Sequence, residues 1–258
     1  MTAFRSLVFT ALFYLNLFGH MVIFSPAVLL GPDHVIWWVT RSWAKTSLWL
    51  LKVVTGTRAE ITGQENIPAG AALIAAKHQA FWEVFALVPE LDRPTFVLKK
   101  ELMSIPLFGW YARRLGMIPV DREKRGAALN SILVGAQKAV ASGRQIIIFP
   151  EGTRTEPGAE PEYRPGVHFL YSRLGVPLVP VALNSGVYWP RDSFVRREGT
   201  VRAQFMPAIM PGLDRHALLR QVKGAIEGRS LDLLRMAYRE RDDLPITPVI
   251  AERLREES

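Results

Sequence analysis

The sequence predicts an α/β fold, a mixed β-sheet covered by helices, preceded by a membrane-associated helical hairpin. Three observations point to it. From about Gly56 onward, short aliphatic runs such as Gln145–Phe149 and Leu178–Leu183 alternate with segments of helical period. From Ser6 to Pro32 there is no Lys, Arg, Asp or Glu. The next stretch, Val35–Val54, mixes four tryptophans with leucines and three spaced basic residues. The expected division is a hairpin over residues 1–55 and a catalytic-type domain over 56–258.

The elements follow in order. A bilayer core takes about 20 apolar residues in a helix, so Ser6–Pro32 is long enough, although Asn16, His20 and Pro26 interrupt it. A cleaved signal peptide is the rival reading, but Arg5 alone makes a poor basic leader and no clear small-x-small cleavage site follows. Gly31-Pro32-Asp33 makes a turn. On a helix over Val35–Val54, Arg41, Lys45 and Lys52 fall within about 40° of one another, as in a helix lying at a membrane interface. Ala71–Ala76 then reads as a strand, Phe81–Leu87 as a helix, and Thr95–Leu98 and Gly116–Val120 as short strands. Ala127–Ala141 has helical period and ends near Gly143, a suitable helix stop. Gln145–Phe149 is a strand buried on both faces, Val167–Leu174 a helix and Leu178–Leu183 a second buried strand. The chain from Asp214 is helical and charged.

Composition narrows the chemistry. Of 258 residues 49% are hydrophobic, and the net charge is +8. Residues 1–59 carry five basic residues against one acidic, half of that charge. A basic, apolar segment suits an anionic membrane surface, and no nucleic-acid-binding signature competes with it. There is no cysteine, so disulfides, thiolate catalysis and Cys-ligated zinc are excluded.

Two runs carry the reactive side chains. In Lys77-His78-Gln79-Ala80-Phe81-Trp82-Glu83 a histidine precedes a carboxylate by five residues. A neutral imidazole can take the proton of a hydroxyl as it attacks. A carboxylate on its other nitrogen sets the tautomer and stabilises the imidazolium. Taken alone, a strand-end histidine and a solvated glutamate is the simpler reading. Phe149-Pro150-Glu151-Gly152-Thr153-Arg154 follows a buried strand, at the strand end where α/β sheets bind ligands. Gly152 permits close backbone approach, and Arg154 can pair with two phosphate oxygens. Among the basic residues near Gly116–Arg122, only Lys100 and Arg122 rise above a solvated surface. The proline-bracketed run Val176–Ala182 reads as core, with an acyl-chain wall as the alternative.

Taken in order, His78-x4-Glu83, Gly116-x-Ile118-Pro119-Val120-Asp121-Arg122, Phe149-Pro150-Glu151-Gly152-Thr153-Arg154 and Val176-Pro177-Leu178-Val179-Pro180-Val181 resemble the four blocks of glycerolipid acyltransferases. The match is closest to the bacterial 1-acyl-sn-glycerol-3-phosphate acyltransferase family. The resemblance covers roughly residues 60–190. It implies transfer of an acyl chain from a thioester, acyl-CoA or acyl carrier protein, to the sn-2 hydroxyl of lysophosphatidic acid, with no bound cofactor or metal. It implies His78 as base, Glu83 in the usual aspartate position, and phosphate binding by Lys100, Arg122, Glu151, Gly152 and Arg154. It implies an acyl-binding side at Val179, Pro180 and Val181, and a site at a membrane, on the cytoplasmic face. The departure is Glu83, which keeps the charge but adds a methylene. Other acceptors, such as glycerol 3-phosphate, a larger lysophospholipid or a lyso-aminolipid, and a non-catalytic lipid-binding role are the alternatives.

Overall fold

The two runs that read as doubly buried strands stand on either side of the strand leading to His78. The computed structural model describes residues 1–121 and 125–255. In chain order the elements are α1 (Thr2–Ile23), α2 (Ser25–Leu30), α3 (Asp33–Thr55), β1 (Thr57–Thr62), β2 (Ala72–Ala76), α4 (Trp82–Ala86), β3 (Thr95–Lys99), α5 (Phe108–Arg114), β4 (Ile118–Val120), α6 (Arg125–Ala141), β5 (Gln145–Ile148), α7 (Gly166–Leu174), β6 (Leu178–Leu183), α8 (Ser185–Tyr188), β7 (Gly199–Phe205), α9 (Arg215–Glu240) and α10 (Pro248–Arg255). A 3-10 turn, Lys100–Ser104, follows β3.

Seven strands form one sheet in the order β1-β7-β6-β2-β5-β3-β4. From β6 to β4 the neighbours are parallel, β7 is antiparallel to β6, and β1 is parallel to β7. The sheet is therefore mixed, as the sequence predicts. Five parallel strands deliver their C-terminal ends to one edge, and the start of antiparallel β7 reaches the same edge.

Successive strand residues face opposite ways, so each central strand feeds two cores. Leu73, Ala75, Ile146, Ile148 and Leu178 pack with Ala136, Leu170, Leu218 and Val222 from α6, α7 and α9. Ala72, Ile74, Ala76, Ile147, Val179 and Val181 pack with Phe9, Phe13, Leu51 and Phe85 from α1, α3 and α4. The expected acyl-binding wall needs correction here. Val179, Pro180 and Val181 are buried in β6, and Val179 and Val181 are interior core residues. A strand in the middle of a sheet with helices on both faces has no free side for a chain to line.

The first helices join this core rather than standing apart. Phe9 and Phe13 of α1 share one cluster with Ala44 and Leu51 of α3 and the sheet. The boundary at residue 55 coincides with the end of α3, but the packing runs across it. Asn16 and His20, which interrupt the uncharged run, turn toward α3: Asn16 donates to Trp43 O (3.2 Å) and Ser47 Oγ (3.0 Å), and His20 Nε2 lies 3.4 Å from Ser42 Oγ. The opposite face is apolar and open. Phe4, Leu7, Tyr14, Leu15, Phe18 and Val22 are all more than half exposed and fall within about 100° of arc.

The basic stripe on α3 divides. Lys45 and Lys52 are exposed beside Trp49. Arg41 instead donates to Leu91 O (3.0 Å) and Asp92 O (2.6 Å), tying α3 to the domain. Pro26 starts α2, a short extra turn of helix between α1 and α3. Arg114 of α5 donates to the carbonyls of Val28, Leu29 and Gly31, closing the turn onto the domain.

Candidate active site

His78 stands two residues past the end of β2, where the chain leaves the sheet. Its Nδ1 lies 2.9 Å from Glu83 Oε1, and its ring stacks on Phe149 at 3.9 Å between centroids. Glu83 is in the first turn of α4 and is fully buried. A buried carboxylate is costly unless its lone pairs are filled, and here they are. Oε1 also accepts from Gln79 N (2.6 Å) and Ala80 N (2.8 Å), and Oε2 accepts from Ser185 Oγ (2.8 Å). The glutamate that departs from the usual aspartate thus spans from the His78 turn to the end of β6. With Nδ1 facing a carboxylate, the neutral ring carries its proton there and leaves Nε2 as the basic nitrogen. Among the described residues Nε2 has no protein partner, and the His78 side chain is 17% exposed.

A second network lies beneath. Glu151, after β5, is 2% exposed. Its Oε2 accepts from His78 N (2.9 Å), and its Oε1 accepts from Lys77 Nζ (2.7 Å) and Thr155 Oγ1 (2.7 Å). Lys77, also buried, donates to Glu227 of α9 at 2.8 Å, and Tyr163 OH donates to Glu227 at 2.8 Å. Burial, then the adjacent Glu227 carboxylate, raise the Tyr163 phenol far above its ordinary range, so it stays a donor. The Glu151 carboxylate faces inward with both oxygens filled, and two negative groups repel. Its geometry is that of a strut under the His78 turn, not a phosphate contact.

The remaining expected residues separate. Gly152 has φ +69° and closes the turn by donating to Phe149 O at 3.0 Å. Arg154 projects from the same loop, and its guanidinium has no hydrogen bond or ion pair among the described residues. Its carbonyl accepts from Arg191 (2.6 Å). Lys100 follows β3 on the same sheet edge, 2.7 Å from Asp121. Arg122 lies outside the described residues. Lys77, Ser185, Glu227 and Tyr163 were not anticipated. Lys77 adjoins His78 and a buried-strand run, a signal that it too is buried. The other three are brought in from distant elements with no fixed spacing.

The Acyltransferase family profile matches residues 58–184, which hold all four blocks. The 1-acyl-sn-glycerol-3-phosphate acyltransferase of Pseudomonas aeruginosa is 36% identical over 171 residues, 66% of each chain. The protein of that name from Saccharomyces cerevisiae is 28% identical over 161 residues, 61% of this chain and 52% of its own. The chain thus aligns with about half to two thirds of the length of these curated relatives. The crystal structure of the 1-acyl-sn-glycerophosphate (LPA) acyltransferase PlsC from Thermotoga maritima shares the fold, with a TM-score of 0.75 over 90% of this chain and 98% of that one at 22% identity. On the profile match and the identity to the Pseudomonas relative, the chain belongs to the acyltransferase family.

Proposed function

We propose that the protein transfers a fatty acyl chain from an acyl thioester to the sn-2 hydroxyl of 1-acyl-sn-glycerol 3-phosphate, giving phosphatidic acid. The observation that carries the reading is His78, with Nδ1 pinned by a buried, fully bonded Glu83 and Nε2 open beside the Arg154 loop. Nε2 takes the hydroxyl proton as the oxygen attacks the thioester carbonyl. The carbonyl π electrons move to oxygen, forming a tetrahedral oxyanion. When the carbonyl re-forms, the C–S bond breaks and the sulfur takes the proton from His78. The buried Glu83 carboxylate stabilises the transient imidazolium. No group beyond the two substrates and these side chains enters the balance.

The acceptor phosphate is held by Arg154, with Lys100, just after β3, and Arg122 assisting. The donor is acyl-CoA or acyl carrier protein. The exposed apolar face of α1, with Lys45 and Lys52 on α3, supports seating on an anionic bilayer, which we assign to the cytoplasmic face. A long-chain lysolipid gains about 0.8 kcal/mol per buried CH2 in the bilayer, so catalysis at the surface avoids extracting it.

The test is acyl transfer to lysophosphatidic acid in vesicles, with each donor, for the wild type and His78→Ala. Turnover by the wild type that is lost in His78→Ala is expected. Activity that survived the substitution would remove His78 as the base, and no wild-type turnover with either donor would remove the acceptor assignment.

A further inference from the structure

A cleft opens between α1 and the sheet edge, with Phe9, Phe13, Phe81 and Trp189 as its apolar side and Arg154, Arg191 and Arg196 as its cationic side. Arg154 of the cleft precedes Thr155, whose N–H donates to His78 O at 2.8 Å, so the loop that lines the cleft is bonded to the base's own turn. We infer that this cleft is the seat of the acceptor's phosphomonoester, with Arg196 as a second phosphate ligand beside Arg154 and α1 as a wall of the site. The inference rests on the acyl-transfer reading and adds to it a residue outside the four blocks and a substrate-contacting role for the first helix.

Charge is the first argument. Neither Arg154 nor Arg196 has a carboxylate partner among the described residues, whereas Arg191 on the same cleft is paired with Asp192. Two uncompensated guanidiniums on one cleft raise its affinity for an anion, and a phosphate with two negative charges offers an oxygen to each. The second argument is how Arg196 is held. Its guanidinium sits 4.0 Å over the Trp189 ring, and Nη1 donates to Ser193 O at 2.9 Å. Nε is buried without a partner, and Nη2 has none among the described residues, so one edge of the fork is unused. Burial lowers its pKa to about 10, which leaves it protonated at neutral pH.

The helix is the third argument. Ser6 of α1, fully buried, accepts from Arg196 N at 2.8 Å, so α1 holds the Arg196 backbone in place. Arg191 does the same for the Arg154 carbonyl at 2.6 Å. Tyr14 lies both on the cleft and on the exposed apolar face of α1. A lysolipid can therefore keep its chain along α1 while its head reaches the two arginines. Free phosphate satisfies the arginines but leaves the apolar side empty.

The experiment measures binding and turnover separately, in phosphatidylcholine nanodiscs carrying lysophosphatidic acid or monoacylglycerol. For Arg196→Gln we expect KM for lysophosphatidic acid to rise about tenfold to a hundredfold, the loss of a charge-assisted hydrogen bond. Donor KM should stay unchanged, monoacylglycerol binding should be unaffected, and Arg196→Lys should be intermediate. Inorganic phosphate and glycerol 3-phosphate should compete only at far higher concentrations. Wild-type acceptor KM in a folded Arg196→Gln would overturn the inference while leaving acyl transfer intact. Free phosphate competing as well as the lysolipid would also overturn it, reducing the cleft to a general anion site. If the wild type transfers nothing, selective binding of lysophosphatidic acid lost in Arg196→Gln would uphold the cleft and sink the reaction. Should Arg196→Gln not fold, Arg196→Lys with unchanged acceptor KM gives the overturning result.

Discussion

The loops after β2 and β5 differ sharply from the cleft they border. In the loops the two buried carboxylates are saturated: Glu83 and Glu151 together receive bonds from three backbone N–H groups, a lysine, two hydroxyls and His78. In the cleft, Arg154 and Arg196 face no carboxylate among the described residues. The difference teaches where rigidity is useful. A base must hold one tautomer and one ring orientation, and a buried, fully bonded carboxylate does that without being displaced. An anion site works the other way, since a guanidinium already paired with a carboxylate would have to break that pair before binding phosphate.

Breaking the saturated side should have the largest effect. Lys77→Met leaves Glu151 and Glu227 facing each other without their shared cation, and removal of one partner from a buried ion pair costs about 3–5 kcal/mol. Chemical denaturation should show that loss, with activity falling because the strut under His78 goes with it. Glu83→Gln keeps the shape but removes the charge that favours the imidazolium. Turnover should drop by about a hundredfold or more with little change in either KM, and a near-normal kcat would argue that Glu83 is only a structural bond.

Smaller effects sharpen the contrast. Phe18→Ser removes one side chain from the open face of α1, and a fully buried large apolar group is worth about 1.5–3 kcal/mol. Partition to anionic vesicles should fall, while kcat in detergent should hold. Unchanged partition would show that the face does not meet lipid. Ser185→Ala deletes one neutral donor to Glu83, worth about 1 kcal/mol, so kcat should fall only a few-fold. A loss as large as that of Glu83→Gln would make Ser185 part of the proton machinery instead.

Much of the sheet was legible because its central strands are continuous aliphatic runs. Leu178–Leu183 matches its predicted bounds, and β2 and β5 differ from theirs by one residue. The outer strands were harder. β1, Thr57–Thr62, is largely exposed and polar, an edge strand with little hydrophobic pattern. β7 did carry a period-two signal, with Val201, Ala203 and Phe205 buried, but it follows a loop of arginines that masks it. On the reactive side, the spacing of His78 and Glu83 is local, and the turn between β2 and α4 closes it in space. The Glu227 contact with Lys77 spans 150 residues, which no local pattern encodes.

By itself, the sequence determined the alternation of strands and helices, the apolar first helix, and the placing of a histidine and a carboxylate five residues apart in the chain. Each depends on side chains a few residues apart, where backbone geometry alone sets the distance. Only the tertiary structure decided that Val179–Val181 leaves no free side for an acyl chain, that Glu151 turns inward, that Arg41 serves the domain, and that Arg154 and Arg196 share one cleft against α1. Those outcomes depend on which strands become neighbours and which ends meet at one edge. That is settled by packing across the whole sheet, not by any stretch of chain alone.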